Sequence, residues 1–296
     1  MQKIIPSIWF DHNAEEAANF YLSVFGGTLG EKTHYTEAGH DIHGMEAGTV
    51  LTINFELRGF SFLGLNGGPA FTLNPSVSFM VRCENAEKVD ELWEKLSEGG
   101  KVLMPIDTYP FNERYCWVQD KYGVSWQVLV AEGPKIAPSL MFISNNTGKA
   151  EEAINFYTSV FKNSSVGKLA RYGADQPVDE GNISYGDFML EGQQFVAMDS
   201  GRMHDFNFNE AISLIVECKD QEEIDYFWDK LSADSKAEQC GWIKDKYGLS
   251  WQIVPEGMME KMLNDIDQAK AGRAMAAMMD MKKIDIAGIQ KAFDGE

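Results

Sequence analysis

Histidine and carboxylate side chains, which bind divalent metal ions, cluster in one short segment of this 296-residue sequence. His34, His40 and His43 lie there together with Asp41 and Glu46. Because the segment contains several glycines, no regular element is expected to hold these side chains in a fixed geometry. We therefore expect solvent-exposed loop histidines, and a metal site confined to this segment is the alternative.

The sequence offers little support for nucleophilic chemistry. Its four cysteines form neither a CxxC pair nor a zinc-binding spacing, and no neighbouring histidine suggests an activated thiolate: Cys83, Cys116, Cys218 and Cys240. We expect buried, unreactive thiols, with a reactive cysteine as the alternative. No Ser-His-Asp arrangement, phosphate-binding loop or G-x-G-x-x-G turn occurs either.

Three blocks of the first half of the sequence return in the same order in the second half. PSIWFDHNAEEAANFYLSVF at 6–25 returns at 138–161 with four additional residues. FTLNPSVSFMVRCENAEKVDELWEKLS at 71–97 returns at 206–232 without a gap, and WVQDKYGVSWQVLVAEG at 117–133 returns at 242–257. A repeat of about 130 residues is long enough to be a complete domain and too long for a solenoid unit. The chain is therefore a duplicated domain.

Hydrophobic periodicity and turn residues predict two βαβββ units in each copy. In the first copy the predicted helices are 14–25 and 86–97, and the predicted strands are 4–10, 28–35, 49–55, 60–65, 76–83, 101–104, 114–119 and 124–130. We expect one domain at 1–132, a linker at 133–137, a second domain at 138–257 and a helical tail at 258–296. The methionine-rich tail should pack on the body or on a partner subunit, with Asp285 capping a last helix at 286–293.

The net charge of −19 is spread evenly over both halves. It argues against nucleic-acid or anionic-membrane partners, which need a basic face. We expect the charge to serve solubility, with attraction of a cationic ligand into the clefts as the alternative. No apolar run approaches the roughly 20 residues of a membrane span, and the N-terminus lacks the features of a signal peptide. We expect a cytoplasmic protein with a small-molecule partner and leave a homodimer open.

The repeated patterns AEEAANFYLSVFGG and DKYGVSWQVLV resemble the PhnB-like branch of the vicinal oxygen chelate (glyoxalase/bleomycin-resistance/dioxygenase) superfamily, often labelled "3-demethylubiquinone-9 3-methyltransferase domain". The resemblance implies an α+β fold of tandem glyoxalase/bleomycin-resistance-like domains. Each is built of two βαβββ units that form an open curved sheet around a cleft. It also implies a divalent metal in the cleft. Because single-domain relatives pair, we expect the two copies to pair internally about a pseudo-twofold axis.

The metal-ligand positions implied by the resemblance are not filled by metal ligands. They fall on Pro6 and Pro138, Ser76 and Ala211, and Gln127 and Gln252. Proline and alanine provide no side-chain ligand, and serine and a neutral amide are weak substitutes for histidine and carboxylate. We expect neither a metal ion nor a cofactor.

Aromatic and amide side chains on the strands that should line the clefts are the candidate ligand-binding residues: Trp9, Phe79, Trp117, Gln127, Met141, Trp242 and Gln252. Strand alternation turns Trp126 and Trp251 toward the helices. Because Trp9 is matched by Met141, the two clefts should differ, or one should be filled.

These residues predict a metal-independent protein that binds a cationic or aromatic small molecule. An enzyme is the alternative, either a metal-dependent lyase, isomerase or dioxygenase with atypical ligands, or the methyltransferase of the family label. A structural module with closed clefts is a third possibility. No catalytic residue can be assigned.

Overall fold

The computed structural model describes residues 2–176, 178–202 and 204–296, and only the backbone of Ile42, His43 and Met259. Within these ranges the helices are α1 (Ala14–Phe25), α2 (His40–His43), α3 (Ala86–Ser97), α4 (Ala150–Val160), α5 (Gln221–Leu231), α6 (Met258–Leu263), α7 (Gln268–Met279) and α8 (Ile286–Asp294). The strands are β1 (Ile4–Phe10), β2 (Gly27–His34), β3 (Val50–Leu57), β4 (Phe60–Asn66), β5 (Val77–Cys83), β6 (Lys101–Tyr109), β7 (Asn112–Gln119), β8 (Ser125–Val130), β9 (Ile136–Phe142), β10 (Ser165–Arg171), β11 (Ile183–Leu190), β12 (Gln193–Asp199), β13 (Ile212–Cys218), β14 (Trp242–Lys244) and β15 (Ser250–Pro255).

These strands form two open sheets, which confirms the predicted α+β fold with two repeated domains. Sheet A has seven strands in the order β14-β15-β13-β1-β4-β3-β2, and sheet B has eight in the order β10-β11-β12-β9-β5-β8-β7-β6. Each sheet therefore takes one unit from the first copy and one from the second. A cleft on either sheet is shared between the copies.

The two copies are joined by two equivalent strand pairs. In sheet A, β1 runs antiparallel to β13 and Ser7 lies opposite Ser213. In sheet B, β9 runs antiparallel to β5 and Ser139 lies opposite Ser78. Since β9 repeats β1 and β13 repeats β5, the joins are related as a pseudo-twofold axis requires. The predicted internal pairing of the copies is seen in this strand order.

Residues 1–132 produced alone should form a homodimer. The isolated copy would expose β1 and β5 as open edges, and such edges pair readily with a second chain. Its own β5 can take the place of β13 beside β1 of a second molecule. Light scattering should give twice the mass of the fragment, with the full-length chain as the control. A stable monomeric fragment would contradict this interpretation.

The helices cover the outer faces of the sheets because each carries one apolar stripe. On α1 the buried residues recur at helical spacing, and the helix ends at Gly26, whose positive φ (72°) lets its N–H reach the carbonyl of Leu22. Two helices begin at side-chain caps: Asn85 accepts from the N–H of Lys88, and Asp220 accepts from that of Glu223. The caps and periodicity fix helix positions locally.

Beneath these helices, the repeated DKYG turn holds a buried carboxylate in each copy. Asp245 accepts hydrogen bonds from the hydroxyl of Tyr157 (2.7 Å) and the indole of Trp251 (2.9 Å), and from two backbone N–H groups of its turn. Asp120 similarly accepts from the indole of Trp126 at 2.8 Å. Both tryptophans are fully buried. The motif fastens the last strand of each copy to the core.

The last unit of the second copy differs from the predicted βαβββ order. The segment between α5 and β14 is shorter than its counterpart, and within the described residues it forms no strand equivalent to β6. The tail covers that edge instead, since the N–H groups of Cys240 and Gly241 donate to the carbonyls of Met281 and Lys282, both at 2.8 Å. Asp285 caps α8, as predicted. Across the described ranges, no helix is long and apolar enough to cross a membrane.

Candidate functional site

Cleft A lies between the concave face of sheet A and helices α6 and α7. Its volume is about 550 Å³, within the range of small-molecule sites. The sheet supplies the floor and one wall, and the tail supplies apolar side chains on the other side: Leu263, Met275, Met278 and Met279. The methionine-rich tail therefore packs on the body of its own chain, over this cleft.

The polar lining of cleft A is acidic. Glu56, Glu217 and Glu260 line the cleft, and no lysine, arginine or histidine is among its described lining residues. Glu217 and Glu260 are half-buried, and Glu260 Oε1 accepts a hydrogen bond from Asn54 Nδ2 at 3.2 Å. The described lining of the cleft therefore carries negative charge and no basic side chain.

Burial raises the pKa of both half-buried glutamates. For Glu217, desolvation is the main cause, and the neighbouring charges of Glu256 and Glu260 add to it, against a small opposing effect of Lys3. For Glu260, desolvation is again first, followed by the charge of Glu31 and a carboxyl–carboxylate hydrogen bond with it. A bound cation would relieve this repulsion and favour the ionised forms.

A row of buried hydroxyls lies beside the amide of Gln252, which lines cleft A, and on the same face of the sheet. Ser7, Ser213 and Ser250 lie opposite one another on β1, β13 and β15. The amide nitrogen of Gln252 donates to Ser213 Oγ at 2.9 Å. Ser7 and Ser250 are buried, and their hydroxyls have no hydrogen-bond partner among the described residues. Buried hydroxyls without partners are uncommon and suggest a place for a ligand group.

Sheet B carries the same residues, but there they satisfy one another. Gln127 donates to Ser78 at 2.8 Å and to Ser139 at 3.3 Å, and its amide oxygen accepts from the hydroxyl of Tyr115 at 2.8 Å. The indole of Trp117 donates to Ser125 at 2.7 Å. In sheet B the serine hydroxyls and the glutamine amide are therefore hydrogen-bonded to other side chains of the protein.

Residue size and charge at matched positions explain the difference between the sheets. Tyr115 of sheet B is matched by Cys240 in sheet A, which has no phenol to reach Gln252. The β6–β7 hairpin adds Tyr109 and Phe111, whose rings contact Tyr115 with centroids 5.6 and 5.1 Å away. Within the described residues the second copy forms no such hairpin, and the tail borders cleft A on that side instead.

At one pair of equivalent positions, the side chains in the two sheets carry opposite charges. Arg82 of sheet B is buried and donates to the carbonyl of Pro134 at 3.1 Å, whereas its counterpart is Glu217 in cleft A. One face is thus covered by arginine and aromatic side chains, and the other presents a carboxylate.

The structure divides the predicted site residues among three environments. Trp242 and Gln252 line cleft A, and Trp9 stands beside them with its ring centroid 6.2 Å from that of Trp242. On sheet B, Trp117, Gln127 and Met141 share the concave face, where Gln127 and Met141 are buried. Phe79 instead lies on the opposite face, fully buried against the rings of Phe62 and Trp126, and we leave it out of the proposed site.

The sequence analysis placed the metal-ligand position of β1 at Pro6, one residue before Ser7, and therefore did not identify the serines. Ile5 lines the cleft, so alternation places Ser7 on the cleft face of β1 and Pro6 on the other. Alternation along β1, given one cleft-facing residue, could have revealed this.

The donor set at this position does not fit a divalent metal. Two serine hydroxyls and a glutamine amide, already bonded to Ser213, provide no charge to offset dehydration of the ion. Over the side chains that the structure describes, no three His, Cys, Asp or Glu residues come together as a metal site. His34 and His40 are exposed, and the side chain of His43 lies outside the described residues.

The thiols are held in their protonated form. Cys83, Cys116 and Cys218 are buried, and burial raises the pKa of Cys116 and of Cys218 to about 12. Cys240 lines cleft A, and burial raises its pKa as well. These values favour packing over nucleophilic roles.

Comparisons with known proteins place both halves of the chain in one family. The family described as 3-demethylubiquinone-9 3-methyltransferase matches residues 2–129 and again residues 134–254. A PhnB protein from Bacillus cereus, described as a 3-demethylubiquinone-9 3-methyltransferase, is 38% identical, covers 44% of this chain and 100% of its own, and has a TM-score of 0.40. Glyoxalase I from Zea mays covers 88% of this chain and 96% of its own, with a TM-score of 0.52 at 10% identity, and shows the fold alone. No curated protein sequence matches.

Proposed function

The chain belongs to the 3-demethylubiquinone-9 3-methyltransferase family within the glyoxalase/bleomycin-resistance superfamily, and from that premise we propose that it binds an organic cation in cleft A. The main observation that supports this proposal is the set of side chains that line the cleft. Glu56, Glu217 and Glu260 face a cavity of about 550 Å³ whose described lining includes no basic side chain. A charge of opposite sign supplied by a ligand satisfies this arrangement best.

The rest of the lining selects an apolar or aromatic body for that cation. Trp242 on β14 and the tail methionines Met275, Met278 and Met279 provide flat and adaptable surfaces. Methionine side chains adjust to irregular ligands, and an indole ring attracts cations by its face. Binding by this route needs no metal, because the carboxylates act directly on the ligand.

Tyramine should stabilise the protein against heat, whereas 4-hydroxyphenylacetate should not. The two compounds share a phenol ring and differ in the sign of their charge. A ligand that binds only the folded state raises the melting temperature according to its affinity. S-adenosylmethionine, which carries a sulfonium cation, belongs in the same series as a test of the family name. Equal stabilisation by the anion would contradict a cation site.

The affinity for tyramine should increase as the pH rises from about 5 to about 8. The pKa values of Glu217 and Glu260 are raised, so both carboxyls lose their charge at a higher pH than an ordinary glutamate. Protonation removes the attraction, and tyramine itself stays charged throughout this range. Calorimetric titration at several pH values measures the effect. An affinity that is independent of pH would argue against these two carboxylates.

A further inference from the structure

We propose that Ser7, Ser250 and Gln252 form a second, uncharged subsite in cleft A that binds a hydroxyl or carbonyl group of the ligand. This inference rests on the proposed function, since it assigns the other end of the same organic cation. The ligand class is therefore an amine or quaternary ammonium compound that carries an oxygen at its far end.

The first support is the state of the two serine hydroxyls. Ser7 is 1% exposed and Ser250 is 0% exposed, and neither Oγ has a hydrogen-bond partner among the residues described. Ser7 lies two residues from Ile5, and Ser250 lies two residues from Gln252. Because Ile5 and Gln252 line the cleft, alternation turns both serines to the cleft face.

The second support is the contrast with sheet B. There Ser125 and Ser139, the counterparts of Ser250 and Ser7, accept hydrogen bonds from Trp117 and Gln127. The hydroxyl of Tyr115 also donates a hydrogen bond to the amide oxygen of Gln127, so that oxygen already has a partner. In sheet A the phenol is replaced by a thiol, so a ligand hydroxyl can take the place of the Tyr115 hydroxyl beside Gln252. The same row of residues is thus a closed network in one sheet and an open subsite in the other.

The third support is the position of this row relative to the carboxylates. Ser213 on β13 lies opposite both Ser7 and Ser250, and Glu217 lies four residues further along the same strand. Four residues of strand correspond to about 13 Å. An aromatic ring with an amine at one end and an oxygen at the other spans this separation when each end makes a hydrogen bond.

A matched pair of probes tests this subsite. Tyramine and phenethylamine carry the same ammonium group, and only tyramine carries the phenol hydroxyl. Tyramine should bind the full-length protein about tenfold more tightly, the usual effect of one good hydrogen bond. In Ser7→Ala/Ser250→Ala the preference should fall to near unity while phenethylamine binding is unchanged. The variant should fold, because removing unpaired buried hydroxyls costs little.

Ser139→Ala and Ser125→Ala, measured singly, are the controls from the closed row and should leave the tyramine preference intact. Equal binding of tyramine and phenethylamine by the unaltered protein would overturn the subsite and leave the cation site standing. A preference that survives in Ser7→Ala/Ser250→Ala would also overturn it. If neither amine binds, the proposed function fails and the subsite fails with it.

Discussion

Replacing Glu217 and Glu260 together by glutamine should weaken tyramine binding about a hundredfold. Each carboxylate is expected to contribute about 1.4 kcal/mol to binding through a charge-assisted contact, and each such contribution is a factor of ten. Glutamine keeps the shape of the side chain and removes its charge. Since both carboxyls are half-buried and repel one another, removing their charge should not harm the fold.

The matched control for this variant is Glu94→Gln/Glu113→Gln. Both glutamates are exposed, on α3 and β7, and their replacement changes the net charge equally. Calorimetric titration of both variants separates a local contact from general attraction by the acidic surface. If the control loses as much affinity as the cleft variant, the cleft carboxylates do not hold the ligand.

Replacing Asp245 by alanine should lower the free energy of unfolding by about 4 kcal/mol. The change would leave four buried donors without their acceptor: the Tyr157 hydroxyl, the Trp251 indole and the N–H groups of Tyr247 and Leu249. A buried donor without a partner costs about 1–3 kcal/mol, and not all four costs add in full.

The repeat provides an internal comparison for this prediction. Asp120 accepts from the Trp126 indole and the N–H groups of Tyr122 and Val124. The nearby Tyr21 hydroxyl does not meet hydrogen-bond geometry, so Asp120→Ala should cost less than Asp245→Ala. Urea-induced unfolding measures both. A loss below about 1 kcal/mol in Asp245→Ala would show that the turn carboxylate does not hold the last strand.

Local elements were predictable from the sequence because local interactions determine them. The predicted ranges 4–10, 14–25 and 86–97 agree with β1, α1 and α3 at both ends. A regular apolar period and the glycines that follow the two helices, Gly26 and Gly99, were sufficient. The sheet order was harder to read, because strands that pair between copies carry no local sign of their partner.

The candidate site was predictable only in part. Gln252 and Trp242 were expected at the cleft and line it. The contrast between Tyr115 and Cys240 was visible as an aligned pair, but its effect depends on tertiary contact with a glutamine on the neighbouring strand. The acidic lining was equally hidden, since Glu260 reaches the cleft from a tail helix that the repeat does not contain.

Diffraction from crystals of the full-length protein grown with tyramine tests the central claim most directly. The ligand should lie in cleft A, with its ammonium group at Glu217 and Glu260 and its hydroxyl toward Ser7, Ser250 and Gln252. No ligand should lie on the concave face of sheet B, where Tyr115 and Arg82 cover the floor. Tyramine bound on sheet B, or bound in cleft A with its ammonium group away from both carboxylates, would contradict the assignment of cleft A as a cation site.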